Sequence, residues 1–106
     1  MTAYSVIYTR TDSHNFITET QIKGIYLDHT KAVACFNSIK LQIKYNDPKY
    51  KIAEKECTIR WDQTIPGDYE FAFWVDSTGV DEENGGYTYS DYYEVTLRIV
   101  QSTICE

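Results

Sequence analysis

Apolar and polar side chains alternate in two stretches of the second half of the chain, and no other feature constrains the fold as much. Tyr69, Phe71, Phe73 and Val75 fall on one side of an extended backbone, Ala72 and Trp74 on the other. Tyr93, Val95, Leu97 and Ile99 oppose Tyr92, Glu94, Thr96 and Arg98. A period of two is that of a strand with one buried face. Strands are therefore expected over 69–75 and 91–100.

Three further segments read the same way. Residues 4–9 are β-branched and aromatic, with Tyr4, Val6 and Tyr8 on one face. Residues 21–27 form a second candidate strand, and 16–18 a weakly extended piece beside it. Cys57, Ile59 and Trp61 alternate with Thr58 and Arg60, so 57–61 reads as a strand. Polar clusters at 11–15 and 64–68 have turn composition. Residues 76–90 read as a long polar loop in which Asn84-Gly85 suits a turn of positive φ.

One segment has the other period. Ala32, Phe36, Ile39 and Ile43 recur at spacings of four, three and four, which places them on one face of a helix. Asp28 or Thr30 can accept from an orphan N–H at its start. Lys40 and Lys44 lie late in the helix, where cations suit the dipole, and Asn46-Asp47-Pro48 stops it. Residues 49–56 are open: Pro48 at a first helical position would begin a short helix, and the same residues could enter a strand.

The expected fold is α+β. A single two-layer domain over 1–106 would pack one main amphipathic helix, about 29–46, on an antiparallel sheet of about five strands. One helix covers only one sheet face, so the rings opposite, including Trp74 and Tyr92, need another cover or a partner.

Charge is divided along the chain. Residues 1–60 carry nine Lys/Arg and six Asp/Glu; residues 61–106 carry one Arg and ten Asp/Glu, with half of the ten tyrosines and both tryptophans. The net charge of −6 argues against direct nucleic-acid binding, where cations must meet phosphates, and against an anionic membrane surface. No stretch approaches the roughly 20 apolar residues of a membrane helix. Three cysteines without a CxxC pair argue against a disulfide framework. The start Met1-Thr2-Ala3-Tyr4 shows no basic region before an apolar run, so a cytoplasmic protein is expected, in the host cell if phage-encoded.

The segment Ile22-Lys23-Gly24-Ile25-Tyr26-Leu27-Asp28, leading into Lys31-Ala32 and Phe36-Asn37-Ser38-Ile39, resembles small bacterial and phage α+β domains. These have a strand ending in G-x-Y, a short cap and a helix beginning K-A; Tyr92-Tyr93-Glu94-Val95-Thr96-Leu97 is similar to their closing strand. The resemblance covers about half the chain, departs at 47–66 and 76–90, and implies a fold but no activity. In style the chain is also similar to phage-encoded anti-defence inhibitors, including anti-CRISPR proteins, many of which occupy a nucleic-acid site on their target.

The acidic half supplies the candidate site. Asp76, Asp81, Glu82, Glu83, Asp91 and Glu94 could stand in for phosphates before an Arg/Lys-lined groove, against the plainer reading of a solvated surface. Tyr87, Tyr89 and Tyr92 could anchor the same interface, as tyrosine does at binding hot spots, or simply pair across strands. Tyr93 belongs to the same group, but adjacent Tyr92 and Tyr93 must face opposite ways, so one of the two is expected outside the core.

Other constellations are weak. Asp76, Asp81, Glu83 and Asn84 lack the spacing of a calcium loop. His14, His29, Cys35 and Cys57 lack the short ligand pair of a zinc site and read as surface histidines and small buried thiols. Cys35 beside Phe36 is no activated thiolate, and the five glycines form no phosphate-binding loop. Lys40, Lys44, Lys49, Lys51 and Lys55 make a basic cluster that reads first as a solvated face.

The function expected is therefore non-catalytic, without cofactor or metal. An acidic, tyrosine-rich face would occupy a basic site on a protein target such as a nucleic-acid-binding enzyme. The alternatives are a structural or assembly protein forming a homo-oligomer, and a small-ligand-binding domain.

Overall fold

The computed structural model describes residues 1–13, 16–65, 68–81 and 85–103. Along the chain come β1 (Thr2–Asp12), β2 (Ile17–Tyr26), α1 (His29–Asn46), α2 (Pro48–Glu56), β3 (Ile59–Ile65), β4 (Asp68–Asp81) and β5 (Tyr87–Thr103). The strands form one sheet of order β2-β1-β5-β4-β3, with every neighbouring pair antiparallel. The class is α+β with a five-stranded antiparallel sheet, as expected, and it has two helices.

Local chemistry sets the helices. The Asp28 carboxylate accepts the Thr30 N–H at 2.9 Å and caps α1. Ala32, Phe36 and Ile43 are buried and Ile39 is half-buried, so the face expected from the spacing is the face that packs. Asp47 then serves both helices. Its N–H donates to the Ile43 carbonyl at 3.0 Å, closing α1, and its Oδ1 accepts the Lys49 N–H at 2.9 Å, opening α2 with Pro48 in the first turn. Residues 48–56 are thus helical, and Tyr50 and Ala53, three apart, are buried.

The core lies on one face of the sheet. Register pairs Phe71 with Leu97, Phe73 with Val95, Val75 with Tyr93 and Val6 with Ile99. These side chains form one cluster with Ala32, Phe36 and Ile43 of α1 and Tyr50 and Ala53 of α2. Phe36, Phe71, Phe73, Leu97, Val6 and Val95 are its largest fully buried members. Burying each stabilises the fold by roughly 1.5–3 kcal/mol relative to exposure. On β2, Gly24 leaves room for the Tyr26 ring: a Cβ there would stand 2.6 Å from it.

Several expectations change. The stretch 76–90 is not a long loop; β4 runs to Asp81 and β5 starts at Tyr87. Its Thr, Val and Tyr content favours a strand, but its sequence shows no hydrophobic alternation to read. Gly85 and Gly86 take φ of 85° and 83°, so the turn falls where Asn84-Gly85 suggested. Within 11–15, Thr11 and Asp12 extend β1, and Ile17–Thr18 belong to β2. Thr64 and Ile65 continue β3, and Asp68 already lies in β4; Pro66 and Gly67 lie outside the described residues.

Cys57 is a helix cap rather than a strand residue. It adopts φ 60°, and its N–H reaches the Ala53 and Glu54 carbonyls. The Thr58 N–H follows to the Ala53 carbonyl at 2.9 Å. His29, expected on the surface, packs its ring between Tyr4 and Tyr69, at centroid distances of 4.9 and 5.6 Å.

Candidate functional site

The two longest strands outrun their neighbours. β3 pairs with β4 only as far as Ile59 opposite Phe73, where the Trp74 N–H donates to the Thr58 carbonyl at 3.1 Å. β1 pairs with β5 as far as Asp12 opposite Tyr93. From Ser77 opposite Asp91 to Asp81 opposite Tyr87, five successive pairs belong, among the described residues, to β4 and β5 alone. At about 3.4 Å per residue this two-stranded ribbon is roughly 15 Å long. The molecule extends 61 Å along its longest axis against 28 and 23 Å across.

Ser13 fastens the ribbon's root. Its N–H donates to the Tyr92 carbonyl at 2.9 Å, and its Oγ accepts the Tyr92 N–H at 2.6 Å. The side chain of a turn residue thereby supplies the pairing that β1 no longer gives.

The register assembles part of the expected site. Tyr92 lies opposite Asp76, and Glu94 opposite Trp74, on the face away from the core. Asp76 is exposed and Trp74, Tyr92 and Glu94 are half-buried. The Tyr92 hydroxyl donates to Glu94 Oε2, and Thr96 Oγ1 donates to Glu94 Oε1 at 3.3 Å. Burial first, and then this bond to Glu94, pushes the Tyr92 hydroxyl pKa up to about 12. Nearby, Arg60 pairs with Glu70, so this open face carries both signs of charge.

Along the ribbon, Asp91 stands opposite Ser77, Tyr89 opposite Gly79 and Tyr87 opposite Asp81. Strand alternation puts Asp91 on one side and its neighbour Tyr92 on the other, so the expected face is split in two. Glu82 and Glu83 lie outside the described residues, as does Asn84 beside them. Tyr93 belongs to the core, where it is 9 % exposed. Ser13 and Trp74 were missed as parts of the site. Trp74 was legible as a ring on the uncovered face; nothing in the sequence marks Ser13.

Among the described residues, no three His, Cys, Asp or Glu side chains gather as a metal site, and no helix is long and apolar enough to cross a membrane. No family model matches the sequence, and no curated protein or solved structure matches it.

Proposed function

We propose that the protein is a non-catalytic binding protein, a phage or bacterial accessory inhibitor. Its β4–β5 ribbon and the patch at the ribbon's root would occupy a basic, nucleic-acid-binding site on a protein target. The observation that supports this most is the ribbon itself. Two strands leave the sheet together and carry Asp76, Asp81 and Asp91 with Tyr87, Tyr89 and Tyr92. A ribbon of this kind can enter a groove that a sheet cannot, offering carboxylates to arginine and rings to apolar contacts.

The layering of the fold suits this reading. The helices cover one face of the sheet as a second layer, and the opposite face keeps Trp74 and Tyr92 for a partner. Opposite charge would steer the encounter and make it sensitive to salt. Host cytoplasm is the setting such an inhibitor needs.

The test is a pull-down from bacterial lysate with the intact chain as bait, repeated with Asp81→Ser, Glu82→Ser and Glu83→Ser combined. The expected result is a nucleic-acid-binding protein held by the intact chain, lost with the triple variant and released by rising ionic strength. Capture that ignores both the substitutions and the salt would overturn the proposal. A stable oligomer of the chain alone, by light scattering, would favour the assembly alternative instead.

A further inference from the structure

Away from the ribbon, the α1–α2 junction and strands β1, β2 and β5 line a cavity of about 480 Å³ that is open to solvent. Small-molecule sites occupy roughly 300–1,000 Å³. Around the cavity stand Tyr8, Arg10, Lys23, Asp47, Lys49 and Tyr93. Three cations therefore converge with one carboxylate in a chain whose net charge is −6.

That carboxylate is already engaged. Asp47 Oδ1 accepts the Lys49 N–H at 2.9 Å and Oδ2 accepts the Tyr93 hydroxyl at 2.6 Å. The cations keep capacity. Lys23 Nζ sits 5.3 Å from the Tyr8 ring centroid, and Lys49 Nζ 5.4 Å from that of Tyr93. Lys23 also donates to Gln21, a neutral acceptor that leaves its charge unbalanced. Arg10 gives one end of its guanidinium to Glu19, Nη2 to Oε2 at 3.1 Å. Its Nε is buried with no hydrogen-bond partner. A buried donor left unpaired is a cost that an incoming acceptor oxygen would relieve.

The rest of the wall mixes apolar and aromatic surface, Ile39, Ile43 and Pro48 with the rings of Tyr8 and Tyr93, with the amides of Gln42 and Asn46. From this combination we infer that the cavity is a binding site for a small aromatic oxyanion. The oxyanion group would meet Arg10 Nε and the Lys23 and Lys49 ammonium groups, and a planar body would lie against Tyr8 and Tyr93. Phosphate and carboxylate share the chemistry that the three cations recognise. Nucleoside monophosphates and aromatic carboxylates are its two natural sources.

Titration followed by NMR and calorimetry separates them. The probes are the common nucleoside monophosphates, benzoate and indole acetate, each beside its uncharged counterpart, with inorganic phosphate alone as the control. At least one charged aromatic probe should bind roughly tenfold more tightly than its neutral counterpart and than phosphate. It should shift the ring resonances of Tyr8 and Tyr93. Arg10→Gln and Lys49→Gln should each weaken it by about fivefold or more, whereas Lys31→Gln, on the exposed start of α1, should not. Lys49 is exposed, so its variant tests the site even if Arg10→Gln unfolds the chain. Charged and neutral probes binding alike, binding untouched by Lys49→Gln, or no shift at Tyr8 and Tyr93 with any probe would each overturn the inference.

Discussion

The Tyr93 hydroxyl donates a 2.6 Å hydrogen bond to Asp47 Oδ2 across 46 residues of sequence. The bond ties the last strand to the junction between the two helices. Asp47 at once ends α1, caps α2 and receives this hydroxyl.

Tyr93→Phe keeps the ring in the core and removes only the bond. Hydrogen bonds to a charged group contribute about 1.5–3 kcal/mol, so a loss of that order is expected in urea unfolding. Tyr45, 82 % exposed, is the control, and Tyr45→Phe should change nothing measurable. Equal stability of the two variants would show that the Asp47 contact does not contribute.

The two sides of α1 should respond very differently to truncation. Phe36 is fully buried against the sheet and its ring lies 5.5 Å from that of Trp61; Leu41 on the same helix is 53 % exposed. Phe36→Ala should cost about 3–5 kcal/mol through lost transfer energy and the cavity left behind. Leu41→Ala should stay within about 0.5 kcal/mol. Thermal unfolding of both variants checks the packing face, and comparable losses would mean that α1 is rotated from this register.

Cys57 holds the left-handed conformation that ends α2, with φ 60°. A side chain there costs roughly 1–2 kcal/mol, which glycine avoids while losing more chain entropy on folding. Cys57→Gly should therefore stabilise the fold by about 0.5–1 kcal/mol, while Cys57→Val should destabilise it. The midpoint of chemical unfolding gives the sign, and a destabilised glycine variant would contradict the cap.

Helix α1 was readable because its signals are local: a capping Asp28, four apolar positions on one face and a proline just past the end. The central strands were readable because burial stamps a period of two on Phe71, Phe73, Val95 and Leu97. Cys57 was misread because Ile59 and Trp61 continue an alternation that begins only after the cap, and nothing but glycine advertises a left-handed residue. The ribbon escaped because residues 76–90 carry no hydrophobic period, and their polar and glycine content reads as loop. The cavity could not be read at all, since it joins positions 8, 10 and 23 to 47, 49 and 93.

Tyr92 offers a pH signature. Its hydroxyl pKa is raised from 10.0 to about 12, by burial and by the bond to Glu94. A group raised in the folded state contributes stability that is complete below its unfolded pKa and lost as pH climbs through the folded one. The contribution should thus persist to about pH 10 and fade towards pH 12. Ring-carbon NMR should show a late-titrating tyrosine signal that disappears in Tyr92→Phe and moves to lower pH in Glu94→Gln, beside that of Tyr93, which burial and its bond to Asp47 also raise. Ordinary titration of Tyr92 would dismiss the contact with Glu94.

The ribbon should be dispensable for folding. Among the described residues, Val75 and Tyr93 are the last core members along β4 and β5, and Ser13 fastens the sheet just beyond them. The backbone bonds of the ribbon are made within the ribbon, so removing it strands no donor or acceptor in the core. Replacing residues 78–90 by Asn-Gly, a two-residue turn of the right hand for a hairpin, should leave unfolding within about 1 kcal/mol of the intact chain. The shortened chain should keep its circular dichroism and any binding in the cavity, yet lose the partner captured by the intact bait. A cooperative unfolding transition that collapses on shortening would place the ribbon inside the folding unit; retained capture would move the partner site elsewhere on the sheet.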